Sequence, residues 1–468
     1  MPSASDPPRS EPQFLLRHIA KPPDRQITPP PPPTSREAAV TTVRTLRDAG
    51  HVAYFAGGCV RDALLGRTPG DYDVATDARP EVVRKLFRRS KPVGAAFGVV
   101  QVYHGHGAHR RTTEVATFRR EWGYTDGRRP DHVAFSDAEA DAQRRDFTIN
   151  GLFQDPLHEE GDADHVIDLV GGRADLDARV LRCIGDPAAR FGEDHLRMLR
   201  AVRFAARLGF DIAPDTAGAV RQHATHLHDI APERVGDELR RMVADAATLH
   251  RAATLLHDLG LLAELTATFT DRPADTLPDL LAHPPEGESD PWVGFLLAWV
   301  AATSDTGQPL NPRALRRLPT ALRLSNPEAA LLRDAAACFD TLPDWPGLNT
   351  AQRKRLAARP GFPTALHVYA DSPTPTPSTS DRSKAQGGRA GSATLARTIA
   401  ADVAALATDG IGLAPPPLLT GDTLIAAGFP AGRDMGRILQ AVYDRQLNGT
   451  VADAKAALAA AQRLRADS

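Results

Sequence analysis

A change of sequence pattern near residue 190 divides this chain of 468 residues into two kinds of structure. Before it, apolar runs of strand length at 51–56, 97–104 and 111–118 alternate with short helical patterns. After it, leucine, alanine and arginine recur at helical spacing almost to residue 340. The sequence therefore predicts an α+β protein, with a small mixed-sheet unit at the front and an all-α remainder.

Two segments of low complexity mark where packed structure is not expected. Residues 1–34 are rich in proline, and residues 370–392 read ADSPTPTPSTSDRSKAQGGRAGS. Such compositions offer too little apolar surface to bury, so we predict a disordered N-terminal tail and a flexible linker. Thr34 and Glu37 have the spacing of a capping box, which predicts that the first helix begins there.

Charge and cysteine content give limited information about the partners and the cellular compartment of the protein. The 56 Lys and Arg residues nearly balance the 58 Asp and Glu residues, so net charge neither indicates nor excludes a nucleic-acid partner. Cys59, Cys183 and Cys338 match no zinc or redox spacing, so we expect reduced thiols in a cytoplasmic protein. No apolar stretch is long enough to cross a membrane and the N-terminus lacks a signal-peptide core, so no membrane partner is expected. The sequence indicates no oligomeric state.

The stretch YFAGGCVRDALLGRTPGDYDVAT, residues 54–76, ends with two carboxylates spaced one residue apart. On a strand, Asp71 and Asp73 would project from the same face and meet at one place. Hard divalent ions such as Mg²⁺ prefer oxygen ligands of this kind. The sequence therefore predicts a metal site here, with a plain polar turn at PGDYD as the alternative.

A glycine pair and an arginine precede those carboxylates. Gly57 and Gly58 allow the backbone to approach a ligand closely, and the short helix predicted after them offers free N–H groups to phosphate. Arg61 adds a planar cation suited to phosphate oxygens. Together with a bound metal ion, this arrangement suits the attack of a hydroxyl group on a phosphorus atom of a nucleoside triphosphate.

Two later motifs extend the interpretation. RRDFTIN, residues 144–150, supplies an arginine pair beside a carboxylate. EDHLRMLRAVRF, residues 193–204, is predicted to be one helix with charged residues at successive three-residue steps: Asp194, Arg197, Arg200 and Arg203. An aspartate and an arginine together resemble the pairing edge of a base, because one accepts and the other donates hydrogen bonds. The alternative is a solvated helix with intrahelical ion pairs.

The ordered set GGCVRD, DYDVAT, RRDFTIN, EDHLRMLRAVRF and ERVGDEL resembles the bacterial class II tRNA nucleotidyltransferases and their poly(A) polymerase relatives. These proteins belong to the DNA polymerase beta nucleotidyltransferase superfamily. The resemblance is dense from about 38 to 265 and resumes weakly at 418–449. It implies an elongated protein with a nucleotidyltransferase head at 35–180, a neck that recognises the base at 181–245, a body at 246–369 and an RNA-binding tail at 393–468.

The resemblance also implies roles for individual residues. Asp71 and Asp73 would be the catalytic metal ligands. The residues implied to bind the nucleotide are Gly57, Gly58, Arg61, Arg145, Asp194, Arg197, Arg200 and Arg203. Within that group Asp194 and Arg197 would read the base. Glu114 is our candidate for a third catalytic carboxylate, with Asp146 as its rival. Residues 119–135 resemble a mobile loop near the active site of this family.

The activity implied by the resemblance is template-independent addition of C, C and A to the 3′ end of tRNA. Its substrates would be CTP, ATP and tRNA, and its cofactor Mg²⁺. A poly(A) polymerase, or an enzyme that adds only A or only CC, would carry the same head. A non-catalytic RNA-binding paralogue is the alternative from another class, although the intact aspartate pair argues against it. The dipeptide His257-Asp258 could suggest a phosphohydrolase, but we find no convincing set of partner residues and expect an ordinary helix end.

Overall fold

The structure is a computed structural model that describes residues 34–466, apart from 94–97, 125–126, 128–129, 159–164, 245, 284–289, 306–307 and 373–387. The tail predicted at 1–34 lies outside the described residues except for Thr34. Most of the predicted linker also lies outside them. The predicted helix start is confirmed, since the first helix begins at Ser35 and Thr34 forms a capping box with Glu37.

Eleven strands occur in the part of the chain that the structure describes, and most of them lie in the first third. They are β1 Ala53–Ala56, β2 Val74–Thr76, β3 Ser90–Pro92, β4 Val99–His104, β5 Arg111–Thr117, β6 Arg119–Trp122, β7 His132–Phe135, β8 Phe153–Gln154, β9 Val166–Ile167, β10 Val180–Leu181 and β11 Asp211–Ile212.

Seven of these strands form one sheet in the order β3-β4-β5-β2-β1-β8-β9. The pair of β2 and β5 is parallel, and the other neighbours in the sheet are antiparallel. The mixed sheet predicted for the head is therefore confirmed. Strands β6 and β7 form a separate antiparallel pair, and β10 and β11 a short parallel one.

The remainder of the described chain is mostly α-helical, as predicted. The helices are α1 Ser35–Asp48, α2 Gly58–Leu64, α3 Pro80–Leu86, α4 Ala138–Gln143, α5 Gly172–Asp177, α6 Pro187–Glu193, α7 Leu196–Leu208, α8 Pro214–His223, α9 Pro232–Met242, α10 Leu249–Asp258, α11 Leu261–Ala267, α12 Pro291–Ala302, α13 Pro312–Ala321, α14 Asn326–Thr341, α15 Thr350–Ala357, α16 Phe362–Asp371, α17 Gly388–Ala407, α18 Gly421–Ala426, α19 Arg433–Leu447 and α20 Ala454–Ala466.

One large apolar core joins the segments that the sequence analysis divided into neck and body. It begins at Phe191, passes through the apolar helix α12, and ends at Ala396 and Ile399 of α17. The head has smaller cores of its own on the two faces of its sheet. A further cluster from Leu419 to Ala461 is formed by the last three helices.

The helices at both ends of the predicted linker reach into it. Helix α16 ends at Asp371, and α17 begins at Gly388. The expected boundary between linker and tail at 392 and 393 therefore falls inside α17. This helix packs against α16 and shares the core of the body. Among the described residues, no helix is both long and apolar enough to cross a membrane.

Candidate active site

The three predicted catalytic carboxylates lie on neighbouring parts of the head sheet. Asp71 and Asp73 come just before β2, so the strand begins later than the sequence suggested. Because β2 and β5 are parallel with Val74 opposite Val115, Asp73 and Glu114 occupy adjacent positions. All three carboxylates line one cavity of about 1070 Å³.

Mutual repulsion and burial change the ionisation of Asp73. Burial, followed by the nearby charges of Asp71 and Glu114, raises the pKa of Asp73 to about 6 against the weaker opposing effect of Arg145. A cation would relieve this accumulation of negative charge. The carboxylate oxygens therefore fit a hard divalent ion such as Mg²⁺.

The glycine turn between β1 and α2 brings the backbone against an arginine. Gly57 has φ of 74° and stands at the start of α2. A Cβ atom on Gly57 would lie 2.8 Å from Nη1 of Arg145, so only glycine leaves room for that guanidinium. Gly58 is the first residue of α2 and also lines the cavity.

Two arginines of the head, Arg61 and Arg145, are held by neighbouring groups at the cavity wall. Arg61 is only 5% exposed, and its Nη1 donates to Oδ1 of Asn150 at 2.6 Å. Its guanidinium also pairs with Asp62 at 2.6 Å. Arg145 forms an ion pair with Asp141 at 3.0 Å and donates to the carbonyl oxygen of Asn150. Asn150 therefore fixes both cations.

The prediction of a single helix over 193–204 is wrong in one respect. Helix α6 ends at Glu193 and α7 begins at Leu196, which leaves Asp194 in the break between them. Asp194 has φ of −146° and ψ of 102°. Its carboxylate accepts hydrogen bonds from the backbone N–H of Leu196 at 3.2 Å and from Nη2 of Arg234 at 3.1 Å.

Three of the four arginines of α7 pair with carboxylates. Arg197 lies 2.6 Å from Glu193, and Arg203 lies 2.7 Å from Glu238 on α9. Nε of Arg200 donates to Oδ2 of Asp146 in the head at 2.9 Å. The alternative of a solvated helix with intrahelical pairs is therefore wrong, because Arg197 and Arg203 are buried and two of the three partners come from other parts of the chain.

Asp146, the rival third carboxylate, is occupied by hydrogen-bond donors. It accepts from Arg200, from Nδ2 of Asn150 and from the backbone N–H of Phe147. Burial alone would raise its pKa, but Arg200 and these hydrogen bonds lower the pKa of Asp146 to about 2. Glu114 accepts one hydrogen bond, from Nε2 of Gln101 at 3.0 Å. This difference favours Glu114 over Asp146 as a further ligand for a cation.

The cavity brings together every residue that the sequence analysis proposed for the site. Its lining includes Gly57, Gly58, Arg61, Asp71, Asp73, Glu114, Arg145, Asp146, Asp194, Arg197, Arg200 and Arg203. Sequence reasoning missed other lining residues, among them Asp62, Glu121, Arg144, Asn150, Phe204, Arg207 and Arg241. Asn150 and Phe204 are the last residues of two motifs that were recognised, so their position was a usable signal.

Phe204 is the aromatic centre of the arginine wall. The guanidinium carbons of Arg61, Arg200 and Arg203 lie 5.3, 5.4 and 4.3 Å from the centre of its ring. Such contacts hold planar cations against an apolar surface. One ring therefore helps to orient arginines from the head and from α7.

Two remaining expectations concern segments near the cavity and far from it. The segment 119–135, which resembles a mobile loop, contains the strand pair β6 and β7, and four residues between them lie outside the described residues.

His257 and Asp258 are exposed and hydrogen-bond to each other at 3.1 Å. They belong to the end of α10, as expected for an ordinary helix end.

Comparison with known proteins agrees with this geometry. Residues 53–182 match the family described as "Poly A polymerase head domain". Residues 209–268 match "Probable RNA and SrmB- binding site of polymerase A". The head of this chain is therefore similar to the head domain of poly(A) polymerases, and part of the helical remainder is similar to a second domain of the same proteins.

Two similar proteins are named CCA-adding enzymes. The chain is 42% identical over 277 residues to the CCA-adding enzyme of Levilactobacillus brevis, covering 59% of this chain and 65% of that protein. It is 42% identical over 219 residues to the CCA-adding enzyme of Bacillus subtilis, covering 47% of this chain and 53% of that one. The matched regions thus span between half and two thirds of these relatives.

Solved structures extend the likeness over nearly the whole chain. The crystal structure of the Bacillus stearothermophilus CCA-adding enzyme in complex with CTP has a TM-score of 0.68 and 27% identity, and covers 93% of this chain and 99% of that one. The Thermotoga maritima CCA-adding enzyme complexed with tRNA has a TM-score of 0.62 at 18% identity, covers 92% of this chain and 94% of that one, and shares the fold. The resemblance found in the sequence is confirmed: two parts of the chain match poly(A) polymerase family models, and the chain is similar to CCA-adding enzymes.

Proposed function

We propose that this protein is a template-independent RNA nucleotidyltransferase that adds CCA, or part of it, to the 3′ end of tRNA from CTP and ATP. The observation that carries the proposal is the single cavity lined by the carboxylates of the head and by Asp194 and Arg197. The relatives named CCA-adding enzymes support the same activity. We also propose a cytoplasmic location, where tRNA and both nucleotides are available.

The proposed reaction joins the 3′-hydroxyl oxygen of the RNA to the α-phosphorus of the nucleotide. The bond from the α-phosphorus to the bridging oxygen breaks, pyrophosphate leaves, and the hydroxyl proton is released. Asp71 and Asp73 would hold Mg²⁺, with Glu114 as a further oxygen ligand. When bound, that ion would polarise phosphate oxygens and orient the attacking hydroxyl group.

The arginines of the head contribute fixed positive charge to the same cavity. Arg61 and Arg145 are oriented by Asn150, Asp62 and Asp141. Cations held in this way can stabilise the triphosphate without first losing side-chain freedom. Their charge would bind the triphosphate and stabilise the departing pyrophosphate.

Base selection is proposed for Asp194 and Arg197. The carboxylate of Asp194 accepts hydrogen bonds only, so it can receive the exocyclic amino group of cytosine or adenine. Arg197 can donate to the remaining acceptors of either base. Both side chains have protein partners, Arg234 and Glu193, which hold them at the cavity wall.

Binding of tRNA is proposed for the helices beyond the head. Residues 209–268 match a family described as a probable RNA-binding site, which supports this assignment. We propose recognition of the tRNA by shape and phosphate contacts, with affinity that falls as salt concentration rises.

The test is incorporation with single nucleotides on tRNA that lacks its CCA end. A CCA-adding enzyme will add C residues from CTP alone, and one A from ATP alone when the substrate ends in CC. Addition from only one of these nucleotides will identify a partial enzyme. Long A tails on varied RNAs will identify a poly(A) polymerase, and no incorporation with any RNA would favour a non-catalytic paralogue.

A further inference from the structure

A group of histidines lies outside the cavity described above. It comprises His195, His223, His226 and Asp229, which we call the histidine cluster. His195 precedes α7, His223 ends α8, and His226 and Asp229 lie on the short 3₁₀ segment that follows α8. Among the described residues that line the active-site cavity, none belongs to this cluster.

Three of the four side chains of the cluster lie within metal-binding reach of one another. One potential ligand atom from each of His195, His226 and Asp229 lies within 4.8 Å of the others. The rings of His195 and His226 stack with their centres 4.7 Å apart, and the ring of His223 is 5.7 Å from that of His226. Nδ1 of His226 and Oδ2 of Asp229 are 3.0 Å apart, so these two groups face each other.

Two nitrogen atoms of the cluster lack partners in the described part of the chain. Nδ1 of His195 and Nδ1 of His223 are both buried and make no hydrogen bond there. Buried polar atoms are nearly always paired, so two such atoms in one group need an explanation. A bound cation would explain them, because imidazole nitrogen is a metal ligand in its neutral form.

We propose that the histidine cluster is a Zn²⁺ site, with His195, His226 and Asp229 as ligands and His223 as the fourth. Zinc in proteins takes four ligands from nitrogen, sulfur and carboxylate oxygen, which is the chemistry present here. Magnesium prefers oxygen ligands alone, so the cluster and the carboxylates at Asp71 and Asp73 select different ions.

An ion bound here would link the 3₁₀ segment to the start of α7, beside Asp194.

The first test measures binding to the full-length protein. The metal-free protein is titrated with Zn²⁺ against a chromogenic chelator, with millimolar Mg²⁺ present to occupy the carboxylates of the head. We expect one tight equivalent in the parent protein. The variants His226→Ala and Asp229→Asn should bind at least tenfold more weakly, since even outer partners of a metal site change affinity by 10- to 100-fold. His257→Ala is the matched control, because it removes an exposed histidine that also pairs with a carboxylate.

The second test needs no variant and so does not depend on how the substitutions fold. Histidines of the parent protein are modified with diethyl pyrocarbonate with and without Zn²⁺, and the modified sites are mapped by mass spectrometry. Protection of His226 but not of His257 supports the site. The proposal is overturned if the parent protein binds no stoichiometric Zn²⁺, if His226→Ala binds as the parent does, or if zinc protects neither His195 nor His226.

Discussion

The two walls of the cavity carry their charges in opposite ways. On the wall formed by the head, Asp71, Asp73 and Glu114 lie near one another, and burial together with the charges of Asp71 and Glu114 raises the pKa of Asp73 to about 6. On the wall formed by α7, Arg197, Arg200 and Arg203 each pair with a carboxylate. The head wall thus carries carboxylates that repel one another, whereas these three arginines of the α7 wall each have a carboxylate partner.

This difference indicates how each wall contributes to function. Unpaired carboxylates cost stability but provide strong affinity for a metal ion, which is a common compromise at active sites. Paired arginines cost less and keep a fixed geometry, but their charge is partly neutralised. The head wall is therefore suited to chemistry and the α7 wall to positioning.

Removing a carboxylate from the head wall should have the largest effect. Asp71→Ala and Asp73→Ala should each lower nucleotide incorporation by roughly a thousandfold or more, because a bound metal ion supplies several kcal/mol of transition-state stabilisation. The measurement is turnover in Mg²⁺ on tRNA lacking CCA. Asp48→Asn, an exposed change on the head, is the control and should retain full activity. Near-normal turnover in either alanine variant would contradict the assignment.

Breaking the ion pair between the two walls should mainly change stability. Asp146→Asn leaves Arg200 without its main partner, and removing one member of a buried pair costs about 3 to 5 kcal/mol of unfolding free energy. Urea unfolding of the metal-free protein measures this loss. The double variant Asp146→Asn with Arg200→Met should recover part of it, because no uncompensated charge remains. A loss below about 1 kcal/mol in Asp146→Asn would mean that the pair is not a structural link.

The two aspartates should also give opposite pH dependences. The pKa of Asp73 is raised from 3.8 to about 6, so the folded state holds its proton more tightly and its stability falls as pH rises from about 4 to about 6. The fall is about 3 kcal/mol at most. The pKa of Asp146 is lowered to about 2, so its contribution is complete above 3.8 and is lost as pH falls toward 2.

Unfolding free energies of the metal-free protein measured against pH will test these signs. Between pH 4 and 6 the unfolding free energy of the parent protein should fall relative to that of Asp73→Asn as pH rises. The difference in unfolding free energy between the parent protein and Asp146→Asn should show no such trend in this range, because both proteins keep Asp73. If the unfolding free energy of the parent rises relative to that of Asp73→Asn over this range, the carboxylate of Asp73 is stabilised in the folded state and the predicted sign is wrong.

The smallest expected effect concerns base selection on the α7 wall. Asp194→Ala should slow the use of CTP and ATP and weaken the rejection of UTP and GTP by roughly tenfold, since a mismatched pair of buried acceptors costs about 1–3 kcal/mol. Turnover is measured with each of the four nucleotides. Arg234→Ala, which removes the partner of Asp194 but keeps its carboxylate, should retain the preference for C and A. An unchanged preference in Asp194→Ala would move base reading to another residue.

Much of the site was predictable because its residues occur in short motifs. Each motif places two or three functional side chains on one turn or strand, and the family resemblance implied that the motifs meet. The break before α7 was not predictable from charge spacing alone. There the carboxylate of Asp194 accepts a hydrogen bond from the N–H of Leu196. A side chain that bonds to the nearby backbone in this way competes with the backbone hydrogen bonds of a helix.

The ion-pair partners of the α7 arginines could not be predicted from the sequence, for a different reason. Glu238 and Asp146 are distant in sequence from Arg203 and Arg200, and periodicity within one helix says nothing about contacts between helices. Composition also misled at the end of the linker. The glycine-rich segment before residue 393 was predicted to be flexible, but α17 begins at Gly388 because its apolar residues pack onto the core of the body.

Helix α17 has a consequence for how this chain acquires its structure during synthesis. Lys354 is fully buried and forms an ion pair at 2.6 Å with Asp409, while Nε1 of Trp345 donates to Asp402 at 2.9 Å. Both acidic partners are synthesised some fifty residues after the side chains that they satisfy. The body can therefore complete this ion pair and its apolar packing only after residue 409 has been synthesised.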